Sequence, residues 1–302
     1  MSGKGPLLST AGSGAAVSAP PRASRTSRLS ALRRALINNP PMLVAACAIL
    51  ILVLLAIFGS WIAPYGVDEF TDGVLVGPSL GHPFGIDQLG RDVFSRVILG
   101  AHISLSVALE AVGGAFLVGV PLGLFSGYIG GITDKVIMRC MDVVLTLPYI
   151  LLAVLIAASL GPSLQSGIIA IGIVRIPRFA RVTRASTMAV SQLLFVEAAR
   201  SVGASHLRII WREILPNMVG PLIVYSTLSL GDSILAAAVL SYLGLGAQPP
   251  TPEWGAMLQE TQRYLTTVPF LSFFPGLFVF IAVLSFNVLG DGLRDYLDPK
   301  TK

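Results

Sequence analysis

The chain has 302 residues, of which 54% are hydrophobic and 12% are charged, whereas charged residues make up roughly a quarter of a typical soluble domain. Its net charge of +5 would favour nucleic-acid binding if the basic residues lay together on one soluble domain, but they lie in short blocks between apolar runs. The composition therefore predicts a membrane protein and argues against a nucleic-acid-binding protein.

Residues 1–39 differ in composition from the rest of the chain. They are rich in Ser, Ala, Gly and Pro, carry six basic residues and contain no acidic residue. This composition predicts a disordered basic tail in the cytoplasm. Near its end Leu29, Leu32 and Leu36 recur at helical spacing beside two arginines, which favours a short helix on the membrane surface, although a solvated tail fits almost as well.

Six apolar segments follow the tail. A helix rises 1.5 Å per residue, so about 20 apolar residues cross the roughly 30 Å hydrocarbon core of a bilayer. The segments predict an all-α membrane protein with six transmembrane helices, at about 42–63, 103–128, 143–160, 164–180, 217–243 and 266–290. The fourth is the weakest of the six because it runs into Arg175 and Pro177.

The basic residues give this topology an orientation. With the N-terminus inside, 18 of the 21 Lys and Arg residues lie in segments on the cytoplasmic side, as the positive-inside rule requires. Omitting the fourth span would place the Arg-rich loop and the C-terminus on opposite sides of the membrane. The distribution therefore predicts that both termini and the loop 181–216 are cytoplasmic.

Within this loop, residues 197–216 read EAARSVGASHLRIIWREILP. The pattern predicts a helical elbow whose elements are helix 193–201, a turn at Gly203, the N-cap Ser205 and helix 206–213, which Pro216 ends. A DNA-binding helix-turn-helix fits poorly, because both ends are tethered at a bilayer. Small residues at the outer corner instead allow a partner protein to approach the backbone closely.

The spacing of Glu197-Ala198-Ala199, Gly203 and Leu215-Pro216 resembles the EAA loop of ABC importer permeases. In that family this loop is the coupling helix, which docks into a groove on a cytoplasmic ATPase. The resemblance implies an ATPase-coupling site formed by Glu197, Ala198, Ala199, Gly203, Ala204, Ser205, Leu215 and Pro216. One departure is that the family pattern has Ile at position 213, where this chain has Glu213 followed by Ile214.

Three further segments narrow the resemblance. HPFGIDQLGRDVFSRVILGAHISL (82–105), SYLGLGAQPPTPEWGAML (241–258) and FNVLGDGLRDYLDPK (286–300) look like the second permease subunit of dipeptide and oligopeptide importers. The resemblance implies a type I ABC importer permease fold in the bacterial inner membrane and transport of di- or oligopeptides. The same group includes importers of nickel and other small solutes, which is the alternative.

The resemblance also implies the partners. They are a second homologous permease, two ATPase subunits and an extracytoplasmic peptide-binding protein. The sequence contains no GxxxxGK[ST] phosphate loop, so we expect ATP and Mg²⁺ to be bound by the ATPase subunits and no cofactor to be bound by this chain. No HExxH or GxSxG motif occurs either, and we do not expect an enzyme. The remaining rival is an ion-gradient-driven secondary transporter, which normally shows inverted repeats that this sequence lacks.

Two features within the predicted spans are candidates for function. Asp232 lies near the middle of the fifth span, where an ionisable residue is a functional candidate. It faces a water-filled translocation path and meets a peptide's ammonium group, or it pairs with a buried partner such as Arg175. Gly119, Gly123 and Gly127 form a small-residue face for another helix, either of this chain or of the partner permease.

The predicted outer segments, 66–100 and 244–270, are polar and rich in proline. Such loops suit the docking of a solute-binding protein. The alternative is that Asp87, Arg91 and Asp92 only tie the first loop to itself.

Overall fold

A computed structural model describes residues 39–297, so the predicted tail lies almost wholly outside the described residues. In this range the chain folds into helices, without a named strand. They are α1 (Pro40–Ile62), α2 (Val93–Ile129), α3 (Gly131–Leu145), α4 (Tyr149–Leu160), α5 (Leu164–Ser191), α6 (Leu194–Ser201), α7 (His206–Ile209), a π-helical turn (Ile210–Ile214), α8 (Leu215–Tyr242), α9 (Trp254–Thr261), a short 3-10 turn (Gln262–Tyr264) and α10 (Phe270–Leu297). The all-α prediction is confirmed for the described residues.

Four helices of the described range are long and apolar enough to cross a membrane: α1, α2, α10 and the continuous helix His206–Tyr242. The bent pair α3 and α4 adds a fifth span if it is counted as one. The structure thus supports four or five spans and does not confirm six. The predicted fourth span lies in α5, a helix of 28 residues that continues through Pro177 to Ser191. Four arginines between residues 175 and 184 make α5 less apolar than the four spanning helices.

The predicted third span, 143–160, is broken in the structure. α3 and α4 meet at an angle of 85°, around the segment Thr146–Leu147–Pro148. Proline disfavours the helical conformation of the residue before it, which explains why α3 ends here. α4 has only 12 residues, or about 18 Å of helix, which is shorter than the hydrocarbon core.

The helix directions define two ends of the bundle. α2 starts next to the loop 63–92 and ends where Tyr128 contacts His206; we call these the loop end and the elbow end. Met42, at the start of α1, packs against Gly292 near the end of α10. Leu297 lies near Gly220, just after the elbow. The described chain therefore begins and ends at the elbow end.

The glycines of the small-residue face pack inside this chain. A Cβ atom added to Gly119 would lie 2.6 Å from the Cβ of Phe179, and one added to Gly127 would lie 2.8 Å from the carbonyl oxygen of Arg184. A Cβ added to Gly123 would likewise collide with the backbone of Ala180. The partner helix is α5 of the same chain, which settles the choice left open by the sequence.

Candidate coupling site

The first arm of the elbow is α6, which ends in a Schellman motif. The amide of Gly203 donates to the carbonyl of Arg200 (3.0 Å), and the amide of Ala204 donates to the carbonyl of Ala199 (3.1 Å). This pair of hydrogen bonds closes the last turn when the first of the two donor residues, here Gly203, has a positive φ. Gly203 has φ +78°, a conformation that costs other L-residues energy. The predicted turn at Gly203 is confirmed.

The second arm starts at Ser205, as predicted, and its side chain accepts a hydrogen bond from the amide of Arg208 (3.4 Å). The predicted stop at Pro216 is wrong. The amide of Leu215 bonds to the carbonyl of Ile210, five residues back, so the backbone forms a π turn immediately before the proline. This wider turn accommodates a residue without an N–H. The helix then continues through α8 to Tyr242.

The inner face of the elbow is part of the protein core. Val196 and Ile209 are buried, with relative exposures of 0% and 1%, in a cluster that also contains Ile214, Met218 and residues of α2 and α5. At the end of α2, the hydroxyl of Tyr128 lies 2.9 Å from Nδ1 of His206. The guanidinium of Arg200 stacks over the Tyr128 ring. These contacts fix both arms against the bundle.

The outer face exposes large apolar side chains. Leu194 and Val202 are 82% and 85% exposed, and Leu207 and Trp211 are each 64% exposed. Leu207 and Trp211 are four residues apart, so they lie on one side of the second arm. Grouped apolar side chains on a surface typically mark an interaction site. The elbow therefore exposes apolar side chains on both arms: Val202 lies beside Gly203, and Leu207 and Trp211 line an apolar groove together with residues of α2 and α8.

The eight predicted coupling residues all lie in this elbow or directly after it. Glu197, Ala198, Gly203, Ser205 and Pro216 are exposed, while Ala199, Ala204 and Leu215 are partly buried. Glu213, the departure from the family pattern, is half-buried and lines a concavity of about 210 Å³ that Gly203 also lines. Its neighbour Ile214 is fully buried and packs in the core cluster that also contains Val196 and Ile209.

At the loop end, buried charges join the two predicted outer segments. Arg91 Nε lies 2.7 Å from Asp87 Oδ2, and Arg91 Nη2 lies 2.6 Å from Glu260 Oε2. Arg96 Nη2 also binds Glu260 Oε2, at 3.2 Å. Asp92 accepts a hydrogen bond from the Ser95 amide and so caps α2. The aspartates and Arg91 thus hold their own loop, as one of the two interpretations expected, and Arg91 also ties it to α9.

Glu253 caps α9 in the same region and is 1% exposed. Its carboxylate accepts hydrogen bonds from the amide of Ala256 (2.9 Å) and the hydroxyl of Ser104 (3.4 Å). Burial raises the pKa of the Glu253 carboxyl, against the lowering effect of these hydrogen bonds.

Sequence comparison places the elbow in a known context. Residues 119–302 match the family model described as "Binding-protein-dependent transport system inner membrane component", and residues 27–78 match "N-terminal TM domain of oligopeptide transport permease C". The chain belongs to this family of ABC importer permeases. The permease is a multi-pass protein of the inner membrane, and the resemblance seen in the sequence is confirmed.

Two relatives of the permease carry the same description. The "Glutathione transport system permease protein GsiD" of Escherichia coli O6:K15:H31 (strain 536 / UPEC) and that of Shigella boydii serotype 4 (strain Sb227) are each 49% identical to it over 262 residues. The match covers 86% of the permease and 86% of each relative.

Solved structures show the fold. Two inward-facing structures of the MetNI methionine ABC transporter match the permease with TM-scores of 0.54 and 0.55 and identities of 19% and 17%. They cover 67% and 68% of the permease and 97% and 98% of the matched chains. The fold is therefore that of an ABC importer permease.

Asp232 lies on α8 and pairs with Arg175 of α5. Asp232 Oδ2 is 3.6 Å from Arg175 Nη1, and the two side chains are 50% and 5% exposed, respectively. The ion pair anticipated from the sequence is present. Half of the aspartate side chain remains exposed, so the ion pair leaves it accessible. Its role in the translocation path stays a prediction.

Three features of the site were missed by the sequence reasoning. They are the π turn before Pro216, the contact between Tyr128 and His206, and the outward-facing apolar side chains of the elbow. The last had a signal, since Leu207 and Trp211 are large apolar residues in an otherwise basic segment.

Proposed function

We propose that the permease forms half of the translocation path of an ATP-driven importer for small peptides, with glutathione as the first candidate substrate. The relatives named for glutathione transport, at 49% identity, carry this proposal. Their name favours a peptide over nickel or another small solute. The family match argues against a secondary transporter.

The partners in this proposal are a second homologous permease, two ATPase subunits and an extracytoplasmic solute-binding protein. ATP and Mg²⁺ bind to the ATPase subunits. The outer face of the elbow docks on one ATPase through Val202, Leu207 and Trp211, whose apolar side chains are exposed in the isolated chain. The small residues Ala198 and Gly203 let the ATPase approach the backbone.

Coupling in this proposal is mechanical. ATP-driven closure of the ATPase subunits moves the elbow, and the continuous helix from His206 to Tyr242 carries the movement into the bundle. Contacts of Val196 and Tyr128 with the core prevent the elbow from moving independently of α2 and α5. ATP shifts the equilibrium between inward-open and outward-open states only because the ATPase binds the two states unequally.

The orientation follows from the same features. The elbow and both ends of the described chain lie at one end of the bundle, and most of the basic residues lie in these segments. The positive-inside rule supports a cytoplasmic elbow and cytoplasmic termini. In this topology α5 crosses the membrane as a sixth span, with its arginines toward the cytoplasm.

The test is reconstitution of the permease with the partner subunits that copurify with it, in vesicles that enclose ATP. We expect labelled glutathione to be taken up when the binding protein and ATP are both supplied. Uptake that needs an ion gradient and no ATP would refute the ATP-driven mechanism. Uptake of Ni²⁺, with neither glutathione nor trialanine transported, would refute the peptide substrate.

A further inference from the structure

The ion pair between Arg175 and Asp232 leaves part of the arginine unused. Arg175 is 4% exposed, and its only ion pair in the described residues runs from Nη1 to Asp232 at 3.6 Å. Its Nη2 is buried and has no hydrogen-bond partner within the described chain. A buried donor without a partner costs free energy, and the cost is larger for a charged group. This nitrogen is therefore a free hydrogen-bond donor for a ligand.

The charges around Arg175 favour an anion. Arg178, one turn further along α5, stacks over the ring of Tyr149 at 5.4 Å, and Tyr149, Tyr225, Arg178 and Asp232 are the groups that act electrostatically on Arg175. Arg175 thus has a second arginine nearby, and Asp232 is the one carboxylate among the neighbouring groups named here. A divalent cation would be repelled by this excess of positive charge, whereas a carboxylate would neutralise it.

Asp232 supplies the complementary half of the site. One side of its carboxylate faces Arg175, and the side chain as a whole is 50% exposed. A solute that carries both an ammonium and a carboxylate group can therefore contact Asp232 and Arg175 together. Small peptides have this pair of charges at their termini.

We propose that Arg175 and Asp232 form a transmembrane binding site for zwitterionic peptides, in which Arg175 Nη2 donates a hydrogen bond to a carboxylate of the solute and the exposed side of Asp232 receives its ammonium group. The proposal rests on the proposed function and names the residues that hold the substrate in the path. A guanidinium suits this role because it can keep Asp232 on one nitrogen and bind the solute with the other.

The test measures binding of labelled glutathione to the purified assembly of permeases and ATPases in detergent, without the solute-binding protein. Arg175→Gln removes the charge, and Arg175→Lys retains the charge but removes the second nitrogen. We expect both to weaken binding by about 10- to 100-fold, the usual effect of losing a charged hydrogen bond. Arg181→Gln is the matched control, since Arg181 lies on the same helix and pairs with Asp142 at the surface.

Two monoamides of glutathione, one at each carboxyl group, identify the contact. We expect one monoamide to bind the unmodified assembly more weakly than glutathione does, because it lacks the carboxylate that Arg175 holds. The same monoamide should bind the Arg175→Gln assembly no more weakly than it binds the unmodified one, because the contact is already lost. The exchange variant Arg175→Asp with Asp232→Arg distinguishes binding from structure, because an ion pair needed only for stability would be restored by the exchange.

Three results would overturn the inference. The first is that Arg175→Lys binds glutathione as tightly as the unmodified assembly, and the second is that the exchange variant recovers binding. The third is that the two amides lose the same affinity in all variants. So would an unmodified assembly that transports glutathione with the binding protein but binds none without it. If the unmodified assembly transports neither glutathione nor trialanine with ATP, the proposed function itself fails.

Discussion

Replacing Gly203 with alanine tests whether the elbow is held rigid by its turn. The φ angle of Gly203 is +78°, and nothing lies within 4 Å of where a Cβ atom would be added. The cost of alanine therefore comes from the backbone conformation alone, about 1–2 kcal/mol. At 1.4 kcal/mol per factor of ten, the closed turn would open about 5- to 30-fold more often.

Hydrogen exchange at the amides of Gly203 and Ala204 measures this opening directly, because both amides donate to carbonyls of α6. We expect exchange to accelerate by about 5- to 30-fold in Gly203→Ala. Asparagine tolerates a positive φ better than alanine does, so Gly203→Asn should exchange close to the unmodified rate. The control is Gly113→Ala, a helical site of α2 that also has open space around it but an ordinary φ.

Equal exchange rates in the alanine and asparagine variants would refute the reasoning from φ. Acceleration in the control as well would show that the effect is not local to the turn.

Three further predictions concern stability in detergent, measured by thermal unfolding. Burial raises the pKa of Glu253 above its ordinary 4.5. The contribution of Glu253 to stability is therefore complete below pH 4.5 and is lost as the pH rises through the raised pKa. Glu253→Gln should remove this decline in stability, and parallel curves of stability against pH for the two proteins would contradict the prediction. Glu260→Gln should lower the free energy of unfolding by about 3–5 kcal/mol, because it leaves the buried Arg91 and Arg96 with one carboxylate fewer. The control Arg263→Gln, at an exposed site, should change stability little. Similar losses in the two variants would contradict the buried network. Gly123→Leu should prevent α2 from packing on α5, while Gly114→Leu, which meets open space, should fold; a folded Gly123→Leu protein would contradict the close helix contact.

Local features of the elbow were predictable from the sequence. Glycine is the residue that adopts a positive φ without penalty, and serine is a preferred N-cap, so Gly203 and Ser205 indicated the turn and the second arm. The rule that proline ends a helix failed at Pro216. Ile210, Ile214, Met218 and Leu222 are all buried at a spacing of four residues, and the π turn keeps this buried stripe continuous across the proline.

Long-range features were less predictable. Glu260 binds Arg91 across 169 positions of the chain, and no local pattern indicates such a contact. The number of spans was uncertain for a similar reason. Four arginines in α5 reduce its apolar character, and whether they are tolerated depends on partners such as Asp232 and Asp134, which lie on other helices. The ion pair of Arg175 was anticipated as one of two alternatives because both residues lay inside predicted spans.

The central claim is that the outer face of the elbow docks on an ATPase subunit. The most direct test places a single cysteine at Val202, after Cys47 and Cys140 have been replaced by serine, and crosslinks the assembled transporter with a short cysteine-directed photoreactive reagent. Leu80, which is fully exposed at the loop end, is the matched control position. The account predicts that Val202→Cys crosslinks to an ATPase subunit and that Leu80→Cys does not. A crosslink to the ATPase from Leu80→Cys, or none from Val202→Cys in an assembly that hydrolyses ATP, would contradict it.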